Sequence, residues 1–287
     1  MAHIGRSRPE KSVGRVDQFI ILVPDTHTGI AQDIGRMIHF IGAGPGDPEL
    51  ITLKGRRLID EADVIIFAGS LVNPKVLDGH KPDAKIYDSA YMDLEEVTKV
   101  EIEAEKKGLK VVRVHTGDPS IYGAIREQMD ILEKEGIEFD VVPGVSSFVA
   151  TAAALKKEYT LPDVSQTVIL TRMEGRTPMP PKEKLIDLAK HNASMCIFLS
   201  VGFMDELCKT LIEGGYAPDT PIAVVYKASW PEQQIVTGTL TDMPQKVKES
   251  GISKTALTVV GGFLGDKYSL SKLYDKHFTT EFRKGVE

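Results

Sequence analysis

Cysteine is nearly absent from this 287-residue sequence, with Cys196 and Cys208 the only two. That speaks against a disulfide framework and points to reduced thiols in a reducing compartment, so a cytoplasmic protein is expected. Long apolar runs are missing as well. None approaches the roughly 20 residues of a spanning helix. The stretch Phe19–Val23 is too short for a signal-peptide core and has no small-residue cleavage site after it. A basic excess is lacking too: the net charge of −6 argues against a large RNA or an anionic membrane as partner. A small acidic substrate stays open, because a local basic rim can coexist with an acidic total. His39, His80, His115 and His191 show no metal-ligand spacing, and no G-x-S-x-G elbow occurs. Metal and nucleophile chemistry therefore have no foothold, and no repeat or low-complexity tract appears.

What is present is an alternation of short β-rich runs with helical stretches, beginning at Met37. Residues 1–36 are polar, rich in Arg and Gly and without sustained period, and are read as a leader or extension outside the fold. Strands are expected at Met37–Ile41, Val64–Phe67, Val111–Val114 and Phe139–Val142. The helices between and after them are expected at Glu49–Glu61, Asp93–Lys107, Ile121–Glu135 and Ser146–Leu155. Such alternation specifies an α/β fold with a mostly parallel sheet. The looser, proline-bearing stretch Lys156–Val164 divides the chain into domains 37–155 and 156–287. The second domain resumes with strands at Gln166–Thr171, Met195–Ser200, Ile222–Tyr226, Gln234–Thr237 and Leu257–Val260. Its helices fall at Lys182–Lys190, Met204–Glu213 and Met243–Glu249. The close spacing of 222–226 and 234–237 predicts a hairpin, hence a mixed second sheet, with a ligand cleft between the two domains.

Three glycine-bearing corners follow strands of the first domain: Gly42-Ala43-Gly44-Pro45-Gly46-Asp47, Thr116-Gly117-Asp118-Pro119-Ser120 and Val142-Pro143-Gly144-Val145-Ser146. The first is not a dinucleotide fingerprint. Its third glycine is misplaced, Pro45 has no N–H to donate, and the second strand ends Phe67-Ala68 without the acidic residue that a ribose needs. Asp118 could simply cap the next helix, and Ser146 and Ser147 could be N-caps. Three such corners in one parallel sheet nonetheless point to a ligand at the carboxyl ends of its strands. A nucleotide-dependent oxidoreductase and a non-catalytic binding module are the alternatives in other classes.

In order and spacing, the three corners resemble the tetrapyrrole methylase family, over nearly everything from Met37 to about Leu270. The resemblance implies two α/β domains, S-adenosylmethionine in the interdomain cleft, a tetrapyrrole substrate and a homodimer. Within the family, Phe67-Ala68-Gly69-Ser70-Leu71-Val72 and Thr171-Arg172-Met173-Glu174-Gly175-Arg176-Thr177-Pro178 are similar to the branch that methylates C11 of precorrin-4, with or without cobalt. Members acting on uroporphyrinogen-III carry a Tyr-Asp pair where Phe67-Ala68 stands, which speaks against that substrate; diphthine synthase is the protein-modifying alternative. Carried over by position, the cofactor contacts fall on Pro45, Thr116, Gly117, Asp118, Ile121, Ser146, Ser147, Val201 and Ala228, with Thr258 added from the closing strand. The family often has Met in place of Val201 and Gly in place of Ala228. No catalytic base is named by the sequence; Asp47 and Asp118 are the candidates. A substrate with many carboxylates asks for cations, and Lys54, Arg56, Arg172 and Arg176 stand near strand-end loops. Any cobalt would arrive inside the substrate, so no protein metal ligands are expected.

Overall fold

The computed structural model describes residues 37–286. The expected leader, 1–36, lies outside the described residues. The described residues belong to one compact unit that contains two five-stranded sheets.

The first sheet is formed by β1 (Met37–Gly42), β2 (Val64–Phe67), β3 (Lys85–Asp88), β4 (Val111–His115) and β5 (Glu138–Val142). Its spatial order is β3-β2-β4-β1-β5 and every pairing is parallel. Ile38, Phe40, Ile65, Ile66, Val112 and Val114 are buried on its two faces, which explains why these runs read as nearly continuous β-branched and apolar sequence. The helices that cover it start with identifiable caps. The Thr52 hydroxyl accepts from the Gly55 N–H at the head of α1 (Leu53–Glu61). Asp93 and Glu96 form a reciprocal capping box on α2 (Leu94–Glu105), whose Val97, Glu101 and Ala104 share the buried face.

Two expectations fail here. β3 was not anticipated, because an edge strand reading Lys-Ile-Tyr-Asp with its first two residues exposed has no apolar face to betray it. The helix expected from Ile121 instead begins at Arg126, as α3 (Arg126–Lys134). Tyr122 (φ 56°) and Ala124 (φ 50°) are left-handed, so residues 121–125 cannot join an α-helix.

The chain then passes through α4 (Ser147–Leu155) into the second sheet. This contains β6 (Val168–Arg172), β7 (Ser194–Phe198), β8 (Pro221–Tyr226), β9 (Gln234–Thr239) and β10 (Ala256–Val260), in the order β6-β7-β10-β8-β9. Only β6 and β7 pair in parallel, and β8 and β9 form the expected hairpin, so the sheet is mixed. One face is covered by α5 (Leu185–Ala189), α6 (Met204–Glu213) and α7 (Met243–Ser250), over a core that includes Met195, Ile197, Leu207, Leu211, Val224 and Val260. α5 is three residues shorter at its start than the expected Lys182. On the opposite face, α4 places Ala150 against Val225 and Ala228, its small side chains allowing close approach.

Candidate functional site

Strand order explains why the three corners meet. β1 lies between β4 and β5, so the loops leaving these neighbouring strands emerge side by side at the carboxyl edge. They are laced together. The Gly44 N–H donates to the Gly117 carbonyl (3.2 Å), and the Gly117 N–H donates in return to the Gly44 carbonyl (2.8 Å). The Gly144 N–H donates to Asp118 Oδ2 at 2.8 Å. A methyl group on Gly42 would sit 2.6 Å from the Gly117 carbonyl oxygen and from Gly144 Cα. These glycines are therefore required for loop-on-loop packing, where the sequence suggested room for a ligand. Gly117 itself needs a left-handed φ of 60°.

Above this floor lies a cavity of about 460 Å³, walled on one side by the first sheet's corners and on the other by strand ends and loops of the second. Pro45, Thr116, Gly117, Asp118, Ile121, Ser146 and Ser147 line the first wall; Val201 and Ala228 line the second. Thr258 does not line it: the side chain is fully buried in the middle of β10. Asp47 also lies off the cavity, its carboxylate accepting from the Glu49 N–H at 2.9 Å. Asp118 is no helix cap, since α3 begins eight residues later. It accepts from the N–H and hydroxyl of Ser120 and from Gly144. Burial pushes its carboxyl up, but those hydrogen bonds prevail and hold it below the usual carboxylate range. Ser146 occupies the N-cap of α4 without a side-chain capping bond.

The four proposed cations are dispersed. Lys54 pairs with Asp140 (2.7 Å), which also holds His39. Arg56 pairs with Asp60 (2.5 Å) and donates to the Val76 carbonyl. Arg172 donates to the carbonyls of Met173, Thr177 and Pro178, at 3.1, 3.1 and 2.8 Å, and so shapes its own loop. Arg176 is exposed in that loop. None of the four lines the cavity.

The second wall contains residues that sequence reasoning missed. The protein's single tryptophan, Trp230, donates from Nε1 to the Pro45 carbonyl at 2.9 Å, and the Asp47 N–H donates to Ser229 Oγ at 3.0 Å. Asn73 secures the same corner through its bond to the Gly46 carbonyl (2.8 Å). Lys227 Nζ stands 4.6 Å from the Trp230 ring centroid. Leu199 (φ 54°), Lys227 (φ 45°) and Thr255 (φ 56°) line the cavity in left-handed conformations that nothing in their chemistry foretells. Only Trp230 offered a signal, as the lone tryptophan next to a proline. Thr151 also lines the cavity, and its hydroxyl is buried with no protein partner, as expected of a polar atom reserved for a bound group. Apolar Val201, Val225, Ala228 and Leu257 at one side and Thr116, Ser146 and Ser147 at the other suit an amphipathic ligand with a flat base and a polar tail. The buried thiols add no nucleophile: burial pushes Cys196 and Cys208 up to about 12.

The family model of Tetrapyrrole (Corrin/Porphyrin) Methylases matches residues 37–244. A cobalt-precorrin-4 C(11)-methyltransferase of Methanocaldococcus jannaschii is 61% identical over 253 residues, covering 88% of this chain and 98% of the relative. The X-ray structure of a cobalt precorrin-4 methyltransferase, a cobalamin biosynthetic enzyme, superposes with a TM-score of 0.80 at 46% identity, over 83% of this chain and all of the other. A uroporphyrin-III C-methyltransferase from Thermus thermophilus, solved with S-adenosylhomocysteine, gives a TM-score of 0.65 at 27% identity, covering 79% and 93% of the two chains.

Proposed function

The chain belongs to the tetrapyrrole methylase family, and from that premise we propose that it is an S-adenosylmethionine-dependent C-methyltransferase acting at C11 of cobalt-precorrin-4 in cobalamin biosynthesis. The observation that carries this reading is the 61% identity, over nearly the full length of both chains, to a relative of that activity, combined with a cavity bounded by nine of the ten expected cofactor residues.

Bound in this cavity, S-adenosylmethionine would supply an electrophilic methyl group on a sulfonium, whose leaving group is a neutral thioether, to a nucleophilic ring carbon. The chain's part is alignment and exclusion of water, an effect that can be worth about 7–11 kcal/mol. Val201, Val225, Ala228 and Leu257 offer a dry surface for the adenine, while Thr116, Ser146 and Ser147 offer polar atoms to the remainder. Three donors engage the Asp118 carboxylate and hold its pKa below the usual range, leaving a weak base, which supports a bracing role instead of proton abstraction. Arg172 supports the substrate lip by holding its shape, and Arg176 is, of the four expected cations, the exposed one that can meet a substrate carboxylate. We read residues 37–155 and 156–287 as two domains sharing the cleft, residues 1–36 as lying outside it, and the working form as a cytoplasmic homodimer; sedimentation velocity tests the dimer. The activity itself is tested by mass spectrometry of cobalt-precorrin-4, and separately uroporphyrinogen-III, incubated with protein and methyl-labelled cofactor. One labelled methyl on the former and none on the latter is expected. The reverse would reassign the substrate.

A further inference from the structure

At about 460 Å³ the cavity lies in the lower part of the range of pockets that take one small ligand, about 300–1,000 Å³. A tetrapyrrole with its acetate and propionate arms cannot share that space with the cofactor, so the macrocycle has to lie across the mouth. Four large apolar side chains that line the cavity remain open to solvent there: Leu71, Tyr122, Leu199 and Phe203, exposed by 39, 48, 69 and 43%. An exposed cluster of this kind marks a contact surface.

Tyr122 is distinguished among them by how it is held. It comes from the first sheet's β4 corner, yet its ring rests on Phe198 at the end of β7 in the second sheet, with centroids 5.2 Å apart and planes inclined by 51°. Its backbone is left-handed at φ 56°, a conformation that a bulky side chain adopts only when the surroundings enforce it. The turn is tightly packed at the next residue, Gly123, where a side chain would collide with the Pro119 carbonyl. The Arg172 guanidinium of the lip acts on the same phenol. Burial raises the Tyr122 pKa above its ordinary value, with Arg172 pulling it back and Glu183 adding to the rise.

We propose that Tyr122 is an acceptor-binding residue: its outer ring face, braced from beneath by Phe198, receives the face of the tetrapyrrole macrocycle and sets the height and tilt of the ring over the cofactor. A flat π-system laid on an aromatic face is a favourable contact in offset or tilted geometry. The strained turn fixes where that face stands. The inference rests on the methyltransferase reading above.

The test compares the parent with Tyr122→Ala and Tyr122→Phe, measuring S-adenosylhomocysteine affinity by calorimetry and steady-state methylation of cobalt-precorrin-4. Tyr122→Ala should raise the tetrapyrrole KM at least about tenfold while cofactor affinity stays within about twofold. Tyr122→Phe should restore KM to near the parent value, because the ring face and not the hydroxyl makes the contact. Melting temperatures of all three verify that each is folded. An unchanged KM in a folded Ala variant overturns the proposal. So does a Phe variant as impaired as Ala, or a fall in cofactor affinity that tracks the KM. A parent that binds S-adenosylhomocysteine but methylates no tetrapyrrole overturns the functional reading and this proposal with it, whereas a working parent beside an unimpaired Ala variant overturns this proposal alone.

Discussion

The two walls of the cavity achieve tight loop geometry by different means. On the first sheet, Gly42, Gly44, Gly117 and Gly144 let three corners pack backbone against backbone. On the second sheet the corresponding bends use Leu199, Lys227, Ser229 and Thr255, all left-handed and none of them glycine, a device the first wall uses only beyond its glycine corner, at Tyr122 and Ala124. The cores differ in the same sense. The ionisable residues Glu101, Arg113 and His115 are buried behind the first sheet, whereas the second buries Thr171, Ser194, Ser200 and Thr258, whose hydroxyls do not titrate. The lesson concerns where strain is stored. Glycine relieves it locally and is visible in sequence; a left-handed leucine or lysine costs about 1–2 kcal/mol and must be held by its surroundings.

The sharpest way to break this contrast is to put side chains where the first wall has none. Gly42→Ala should lose about 1–3 kcal/mol of stability by overpacking, measured by urea unfolding, and its S-adenosylhomocysteine affinity should fall as the corners part. A fully stable Gly42→Ala would show that the corners are looser than they look. Next in size are the lip arginines. Arg172→Ala strips three carbonyls of their donor and should lower Tm as well as tetrapyrrole use. Arg176→Ala should raise only the tetrapyrrole KM, with kcat little changed. Equal behaviour of the two would mean that Arg172 contributes charge alone.

The buried charges behind the first sheet give a pH signature that the second sheet lacks. Burial raises Glu101 to about 7 from an ordinary 4.5, against the pull of Arg113, and neither of its oxygens has a hydrogen-bond partner. The folded state therefore holds a proton that the unfolded state has released between those two pH values. Stability from this group is present below about 4.5 and declines as pH rises toward 7. Glu101→Gln should flatten that decline in denaturation measured at pH 5 and pH 8; an identical slope in parent and variant would contradict it. On the second wall, Leu199→Gly removes backbone strain but frees the unfolded chain, and the two effects should nearly cancel, to within about 1 kcal/mol. A large loss there would mean that the Leu199 side chain, 69% exposed, packs in a way its exposure hides. The smallest effect is expected from deleting residues 1–36: the family match begins at residue 37, and a chain starting at Met37 should keep its Tm and cofactor affinity.

The legibility of the sequence follows the same division. β1, β2 and β4 are nearly solid β-branched runs because both faces of a parallel sheet are covered, and the corners after β1, β4 and β5 are marked by glycine and proline. Those corners carried the family resemblance, and the resemblance implied Pro45, Thr116, Gly117, Ser146 and Ser147, all of which line the cavity. β3 was illegible because an exposed edge carries no pattern. The late start of α3 was hidden because Tyr122 and Ala124 have no intrinsic preference for the left-handed region. Trp230, Lys227 and Phe198 were missed because their roles depend on one sheet meeting the other, a relation between residues as far apart as Pro45 and Trp230. Two of the four cations have partners: Arg56 pairs with Asp60, four residues on along the same helix and so visible in the sequence, whereas Lys54 pairs with Asp140, whose nearness only the fold reveals.

The central claim is that one cofactor is held by both walls at once. Its most direct test is a calorimetric titration of S-adenosylhomocysteine into the parent and into two folded variants, Gly117→Arg on the first wall and Ala228→Leu on the second. One molecule per chain should bind to the parent, and each variant should lose at least about tenfold in affinity, roughly 1.4 kcal/mol. Full-strength binding to either variant would place the cofactor on one wall alone and contradict the account.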